Sequence, residues 1–322
     1  MQPTTLSEYL ARNAGEAALS DLIERIASAC WPISDLVNAS ALAGHQGSTD
    51  EINPQGEVQK PLDILADEIF VRSCSANTNL SALISEEVEE ITWVNPAQTG
   101  AYVLAYDPLD GSSNLDVDLS VGSIFAVSKL RSDSAEDVLP NGSDLISSGY
   151  AIYGPSTMLV LTFGERVDGF TLDKNTDSFV LTHPHMTVPP HAIEFAINVS
   201  FLRHWDETIQ SYISDCLQGP DGPRQKSFNM RWMASMVADV HRILIRGGVF
   251  LYPVDADNHL AGGNLRLLYE AMPMAMIVEA AGGGATDGHI PLLDVAAATP
   301  HQRTPVILGA REETDLIRAA YS

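Results

Sequence analysis

Basic residues are scarce in this chain: 18 Lys and Arg stand against 42 Asp and Glu, a formal net charge of −24. A polyanion such as nucleic acid or an anionic membrane surface would be repelled, so neither is expected as a partner. Cysteine is also rare. Cys30, Cys74 and Cys216 are odd in number, widely spaced and without a Cys-x-x-Cys pair, which excludes a disulfide framework and a cysteine zinc site and points to a reducing cytoplasm. No uninterrupted apolar run approaches membrane-spanning length, and Met1-Gln2-Pro3-Thr4-Thr5 lack a basic segment followed by an apolar core. Neither a transmembrane helix nor a secretion signal is expected. Internal repeats and low-complexity segments are missing too. What is present is an ordinary globular composition, 45% hydrophobic and 19% charged over 322 residues, enough for one large or two intimately packed domains.

Apolar periodicity sets out the elements. Leu19, Leu22, Ile23, Ile26, Cys30 and Ile33 recur at helical spacing and predict a helix from about Glu16 toward Leu42, bent at Pro32. His45 to Gln59, rich in Gly, Ser, Asn and acids, reads as a long loop, and Pro61 then opens a short helix. Ser81–Ser85, Tyr102–Tyr106, Val121–Val127, Met158–Phe163, Val167–Leu172 and Phe179–Leu181 read as strands, with a polar excursion over Arg131–Ser148. Further on, Ile193–Asn198 predicts a strand, Trp205–Leu217 and Met233–Ile245 predict helices, and Arg266–Ala281 predicts a buried helix interrupted by Pro273. Val188-Pro189-Pro190 suggests a soft boundary between two halves, 1–190 and 191–322.

Chemistry gathers where two strands end. Asp107-Pro108-Leu109-Asp110-Gly111-Ser112-Ser113-Asn114 holds two carboxylates three positions apart across a stiff proline. Like charges held that close call for a cation between them. Gly111 lets the backbone approach a ligand, and Ser112 and Ser113 can open a helix whose free N–H groups face an anion. Glu86-Glu87 follow the Ser81–Ser85 strand and can deliver more acids to the same place. Each motif alone has a simpler explanation, turn-and-cap chemistry for the first and solvated surface charge for the second. Together they suggest metal-assisted phosphoryl chemistry.

With these pieces in order, the chain resembles the class I fructose-1,6-bisphosphatases, within the larger superfamily of magnesium-dependent, lithium-sensitive sugar and inositol phosphatases. The resemblance spans nearly the whole chain. It is carried in order by Leu62-Asp63, Glu86-Glu87, Asp107 to Asn114, Gly149 to Gly154, Ser235 to Arg242 and Leu265 to Glu270. It implies an α/β fold, a layered αβαβα sandwich of the sugar phosphatase type. The first half would carry the metal and catalytic motifs with regulatory helices, and the second the sugar and distal-phosphate site.

The same resemblance implies roles. Glu86, Asp107, Asp110 and Glu270 would be carboxylate ligands of two or three Mg²⁺ ions per subunit, replaceable by Mn²⁺, with the Leu109 carbonyl as a further ligand. Glu57 and Arg266 would sit at a third, loop-dependent metal position, and Arg266 also counts among the substrate contacts. Asp63 and Glu87 would orient and deprotonate the attacking water, while Gly111, Ser112 and Ser113 hold the phosphate being cleaved. Asn198, Tyr252 and Arg231 match the distal-phosphate pocket, with Arg231 reaching across a subunit interface of a homotetramer. Read without the resemblance, Glu270 is one acid on an apolar helix and Arg231 a surface base.

Departures from the family pattern matter here. Position 57 is usually Asp in the family. Asn264 stands where most members carry a Lys, and Trp232 and Phe201 replace Tyr residues in or near the same pocket, Trp232 enlarging one wall. The family's AMP elements are degraded around Ala14-Gly15-Glu16-Ala17-Ala18, with Ala101 replacing a Lys beside Tyr102 and Lys129 replacing an Arg. The implied activity is removal of the C1 phosphate of fructose 1,6-bisphosphate, in gluconeogenesis or a pentose-phosphate cycle. Sedoheptulose 1,7-bisphosphate is the alternative substrate. A catalytically silent metal-binding scaffold is disfavoured, because every implied metal and water-activating position bears a suitable side chain.

Overall fold

The computed structural model describes residues 4–43, 60–94, 100–131 and 138–322. Strands β1 (Leu80–Ser85), β2 (Thr92–Trp93), β3 (Tyr102–Asp110), β4 (Val121–Lys129), β5 (Leu145–Tyr153), β6 (Thr157–Thr162), β7 (Val167–Asp173) and β8 (Ser178–Met186) form one sheet. Its order is β2-β1-β3-β4-β5-β6-β7-β8, with β1 and β3 parallel and every other neighbouring pair antiparallel. Helices α1 (Leu6–Asn13), α2 (Ala17–Ala43) and α3 (Pro61–Cys74) cover one face. Strand alternation decides what they meet: Tyr102, Leu104 and Tyr106 point into this layer, Val103 and Ala105 into the opposite one.

The opposite layer holds α5 (Met236–Arg246) and α6 (Met272–Ala280), which also pack on a second sheet. That sheet contains β9 (Glu194–Ala196), β10 (Asn229–Met230), β11 (Val249–Tyr252), β13 (Gly284–Thr286) and β15 (Val306–Gly309) in the order β10-β9-β11-β15-β13. Its outer face, through Val249, Leu251 and Ile307, packs on α4 (Glu207–Leu217) and α7 (Arg311–Ala320). The result is the five-layer αβαβα sandwich. A small ladder of β12 (Leu265–Arg266) with β14 (Arg303–Thr304) lies beside it.

Several local expectations need correcting. Strand β3 does not stop at Tyr106 but continues through Pro108 to Asp110, with a register irregularity between Asp107 and Asp110 that accommodates the proline's missing donor. β5 begins at Leu145, inside the stretch read as a polar excursion. Pro184 lies in β8, where it removes no ladder bond from the sheet's interior because β8 is the edge. The helix expected over Arg266–Ala281 opens instead with β12 and a π-helical turn, Leu267–Ala271. Pro273 does not end the helix; it lies in the first turn of α6, which follows the π turn without a break, so its missing N–H falls where the helix changes from π to α. The loop read at His45–Gln59 lies outside the described residues. Among the described residues, no helix is long and apolar enough to cross a membrane.

Candidate active site

The C-terminal ends of the parallel neighbours β1 and β3 open on one cleft of about 260 Å³. Asp63, Glu86, Glu87, Asp107, Leu109, Asp110, Gly111, Ser112, Ser113, Arg266 and Glu270 all line it. Segments as far apart in sequence as Asp63 and Glu270 are thereby brought together. Glu57 lies outside the described residues.

Asp107, Asp110 and Glu270 each offer a carboxylate oxygen within 4.8 Å of the others, and all three are buried. Burial, and then Glu86, Asp110 and Glu270, push the Asp107 carboxyl well above its usual range. Glu270 is raised by burial, with Arg266 opposing and Glu86 reinforcing. Asp110 is raised by burial against the pull of three donors: Ser235 Oγ at 2.6 Å, Val237 N at 2.9 Å and Met236 N at 3.3 Å. Those amides belong to the first turn of α5, so a helix N-terminus faces this carboxylate. A cluster so repelled and so desolvated stays ionised only with positive charge among its oxygens.

Local geometry holds each acid in place. Leu109 N donates to Asp107 Oδ1 at 2.9 Å, fixing the bulge. Lys60 N donates to Asp63 Oδ2 at 2.8 Å at the start of α3, and Ser112 Oγ lies 3.4 Å from the same oxygen. Arg266 Nη1 stands 3.4 Å from Glu86 Oε1, while Arg266 N donates to Glu270 Oε2 at 2.6 Å. The anticipated helix at Ser112 is only a short 3-10 turn, Ser112–Val117. Gly111 before it has φ +73°, and a Cβ there would come within 2.6 Å of Ser235 Cβ. Both the backbone angle and the close approach require glycine.

A second, much smaller pocket of about 20 Å³ gathers Asn198, Tyr252 and Asn264 with Phe201 and Trp232. Asn264 and Arg266 are two positions apart, so the pocket adjoins the acid cleft. Asn264 Nδ2 donates to Tyr252 Oη at 3.0 Å. Trp232 stacks on Phe250 with centroids 6.0 Å apart and also leans on Tyr252 at 5.8 Å, so the larger ring fills this wall and does not widen it. Arg231 lines neither space. It is exposed, and its Nη1 donates to the Met230 carbonyl at 2.8 Å.

Two contributors escaped the sequence reading. Lys60 lines the cleft and pairs with Asp116 at 2.5 Å; a single base preceding a helix carries no signal of that. Ser235 stood in a quoted motif, and its spacing before α5 marks an N-cap, yet nothing local says that its hydroxyl serves Asp110. Just before it, Ala234 holds φ +57°, with Asp239 accepting the Met233 N–H at 3.1 Å.

Carboxylates that repel one another unless a cation intervenes, set beside a hydroxyl-bearing turn at the mouth of a layered α/β sandwich, supply what cleavage of a phosphate ester requires. The class is accordingly that of the phosphatases. Comparison with known proteins narrows it. The family model for the fructose-1-6-bisphosphatase N-terminal domain matches residues 5–184, and that for the C-terminal domain matches 188–322. The class 1 fructose-1,6-bisphosphatase of Halorhodospira halophila is 49% identical over 327 residues, covering 98% of this chain and 97% of its own. That of Methylobacillus flagellatus is 47% identical over 323 residues, with coverage of 98% and 97%. Among solved structures, Leishmania major fructose-1,6-bisphosphatase in holo form superposes with a TM-score of 0.94 at 38% identity, covering 100% of this chain and 99% of that one. The T-state structure of the same protein gives 0.88 at 36% identity, with coverage of 100% and 99%. The chain belongs to the fructose-1,6-bisphosphatase family.

Proposed function

We propose that this chain hydrolyses the C1 phosphate of fructose 1,6-bisphosphate to fructose 6-phosphate and inorganic phosphate, using two to three Mg²⁺ ions per subunit, for which Mn²⁺ can substitute. The observation that supports this most is the Asp107, Asp110 and Glu270 oxygens within 4.8 Å of one another, in the cleft that Gly111, Ser112 and Ser113 also line. Glu86 and the Leu109 carbonyl join this set, and Glu57 with Arg266 serves the third, loop-dependent position. An oxygen-only donor set suits Mg²⁺, which keeps waters and accepts phosphate oxygens. When bound, the metal lowers the pKa of a water and neutralises charge on the phosphoryl group.

The remaining roles fall to side chains. Asp63 is fixed by the Lys60 N–H and, with Glu87, orients the attacking water and takes its proton. Gly111, Ser112 and Ser113 bind the phosphate being cleaved. Asn198, Tyr252 and Asn264 receive the sugar and its distal phosphate. Arg231, exposed and outside both spaces, serves a neighbouring subunit's pocket in a homotetramer. Three buried, unpaired cysteines fit a cytoplasmic enzyme. A second reading, in which sedoheptulose 1,7-bisphosphate is also accepted, is favoured by the neutral Asn264 and its bond to Tyr252.

The deciding assay is phosphate release from a panel of sugar bisphosphates with and without Mg²⁺, on the wild type and on Asp110→Asn. Release from fructose 1,6-bisphosphate should require the metal, should be inhibited by Li⁺, and should be largely lost in the variant while its circular dichroism is unchanged. Near-normal turnover of Asp110→Asn at saturating Mg²⁺ would overturn the assignment.

A further inference from the structure

Beside the acid cleft lies a polar network that the proposed reaction does not use. Asp67 sits on α3 one turn beyond Asp63, on the same side of the helix, and is half-buried. Its Oδ1 accepts two hydroxyl protons, from Ser85 Oγ at 2.6 Å and from Tyr106 Oη at 2.7 Å. Ser85 is the last residue of β1 and Tyr106 its partner on β3, both buried. The Tyr106 ring is itself locked by stacking on Phe70, with centroids 4.8 Å apart. The same Ser85 oxygen accepts the Glu87 N–H at 3.2 Å, and the Glu86 N–H donates to the Tyr106 carbonyl at 3.2 Å.

We propose that Asp67 is a positioning residue, which fixes the Glu87 backbone through the Ser85 hydroxyl and so sets the direction of the Glu87 carboxylate. A serine hydroxyl has one proton and two lone pairs. With the proton committed to the acceptor-only Asp67 carboxylate, the lone pairs are left for the Glu87 N–H, and the turn leaving β1 has one orientation. Remove the carboxylate, and the Ser85 hydroxyl is free to rotate and to present its proton where Glu87 needs an acceptor. A group that takes a proton from an attacking water loses efficiency steeply when misplaced, whereas binding of sugar, distal phosphate and metal draws on other residues. The signature is therefore a fall in kcat without a matching change in KM.

This inference rests on the proposed role of Glu87, and its test separates the two. Steady-state kinetics at saturating Mg²⁺ would be measured on the full chain for Asp67→Ala, Asp67→Asn, Ser85→Ala, Glu87→Gln and the double variant Asp67→Ala with Glu87→Gln. Asp67→Ala and Ser85→Ala are expected to lower kcat about 10-fold or more with KM for fructose 1,6-bisphosphate and half-saturating Mg²⁺ within about twofold of wild type. Asp67→Asn, which keeps an acceptor oxygen, should recover most of the rate. The double variant should be no slower than Glu87→Gln alone, because both losses pass through one carboxylate. If Glu87→Gln is slow and the double variant is slower by the full Asp67→Ala factor, Asp67 does not act through Glu87 and the proposal fails. If Glu87→Gln keeps wild-type kcat, the role assigned to Glu87 fails first. Should Asp67→Ala not fold, Ser85→Ala carries the test, and a wild-type kcat in that variant overturns the relay.

Discussion

Ser235 Oγ donates to Asp110 Oδ2 at 2.6 Å, joining two residues 125 positions apart. The serine also accepts the Ala238 N–H at 3.3 Å as the N-cap of α5. One hydroxyl thus anchors a helix of the second half and a carboxylate of the first. Substituting Ser235→Ala should remove both contacts, costing about 1–2 kcal/mol of stability. It should also weaken Mg²⁺ activation, since Asp110 loses its shortest donor. Chemical denaturation and metal titration of activity check the two parts separately. An unchanged Mg²⁺ requirement would show that the remaining α5 amides suffice to hold Asp110.

The raised carboxyls predict how stability responds to pH when metal is withheld. Asp107, Asp110 and Glu270 are held above their usual range, and Asp239 is pushed up to about 7, chiefly by burial. Each is protonated in the folded chain at pH values where the unfolded chain has already released the proton. Because the native state binds more protons, stability falls as pH rises. His241 is held down at about 4 and His301 is also lowered, and they act in the opposite sense only below the unfolded histidine range near 6.5. Between roughly pH 6.5 and 8 the carboxyls therefore dominate. Melting temperatures in chelator should decrease across that window, and saturating Mg²⁺ should flatten the slope by keeping the cluster ionised. A flat profile in chelator would refute the reading.

AMP should inhibit weakly or not at all. Tyr102, at the position that opens the strand before the aspartate motif, donates its hydroxyl to Glu16 Oε2 at 2.8 Å. Lys129, the β4 residue paired with Tyr102, is exposed. A nucleotide phosphate arriving here meets a carboxylate already engaged and one point-charge amine where a forked guanidinium would grip it. Micromolar inhibition by AMP, noncompetitive with substrate, would contradict this.

Substrate breadth turns on Asn264. A lysine in its place would restore a charge-assisted bond of about 1.5–3 kcal/mol to a distal phosphate. Asn264→Lys should also break the bond to Tyr252 that draws two walls of the small pocket together. The expected result is a lower KM for fructose 1,6-bisphosphate, with kcat/KM for sedoheptulose 1,7-bisphosphate measured alongside. Unchanged KM values for both would remove Asn264 from the sugar pocket and with it the basis for dual specificity.

Much of this protein is written locally. Apolar alternation before Asp107 and before Glu86 marks two strands that end in acids, and Pro108 with Gly111 marks the bend where backbone can meet a ligand. The helices from Ala17 and Pro61 were legible for the same reason, because a buried stripe imposes its own period on the chain. What no local pattern carries is which elements come to lie face to face. Glu270 reads as one acid on an apolar helix until the π turn of Leu267–Ala271 and the packing of α6 between the sheets bring it to Asp107. The bond from Ser235 to Asp110 likewise joins elements far apart in sequence, and those from Ser85 and Tyr106 to Asp67 tie α3 to the ends of two strands, which no local pattern announces. Ala234 adopts φ +57° against its own preference because Asp239 and the start of α5 demand it. Periodicity is enforced residue by residue through burial and so leaves its mark on the sequence, whereas the pairing of distant polar groups is decided by layer packing that the whole core stabilises at once.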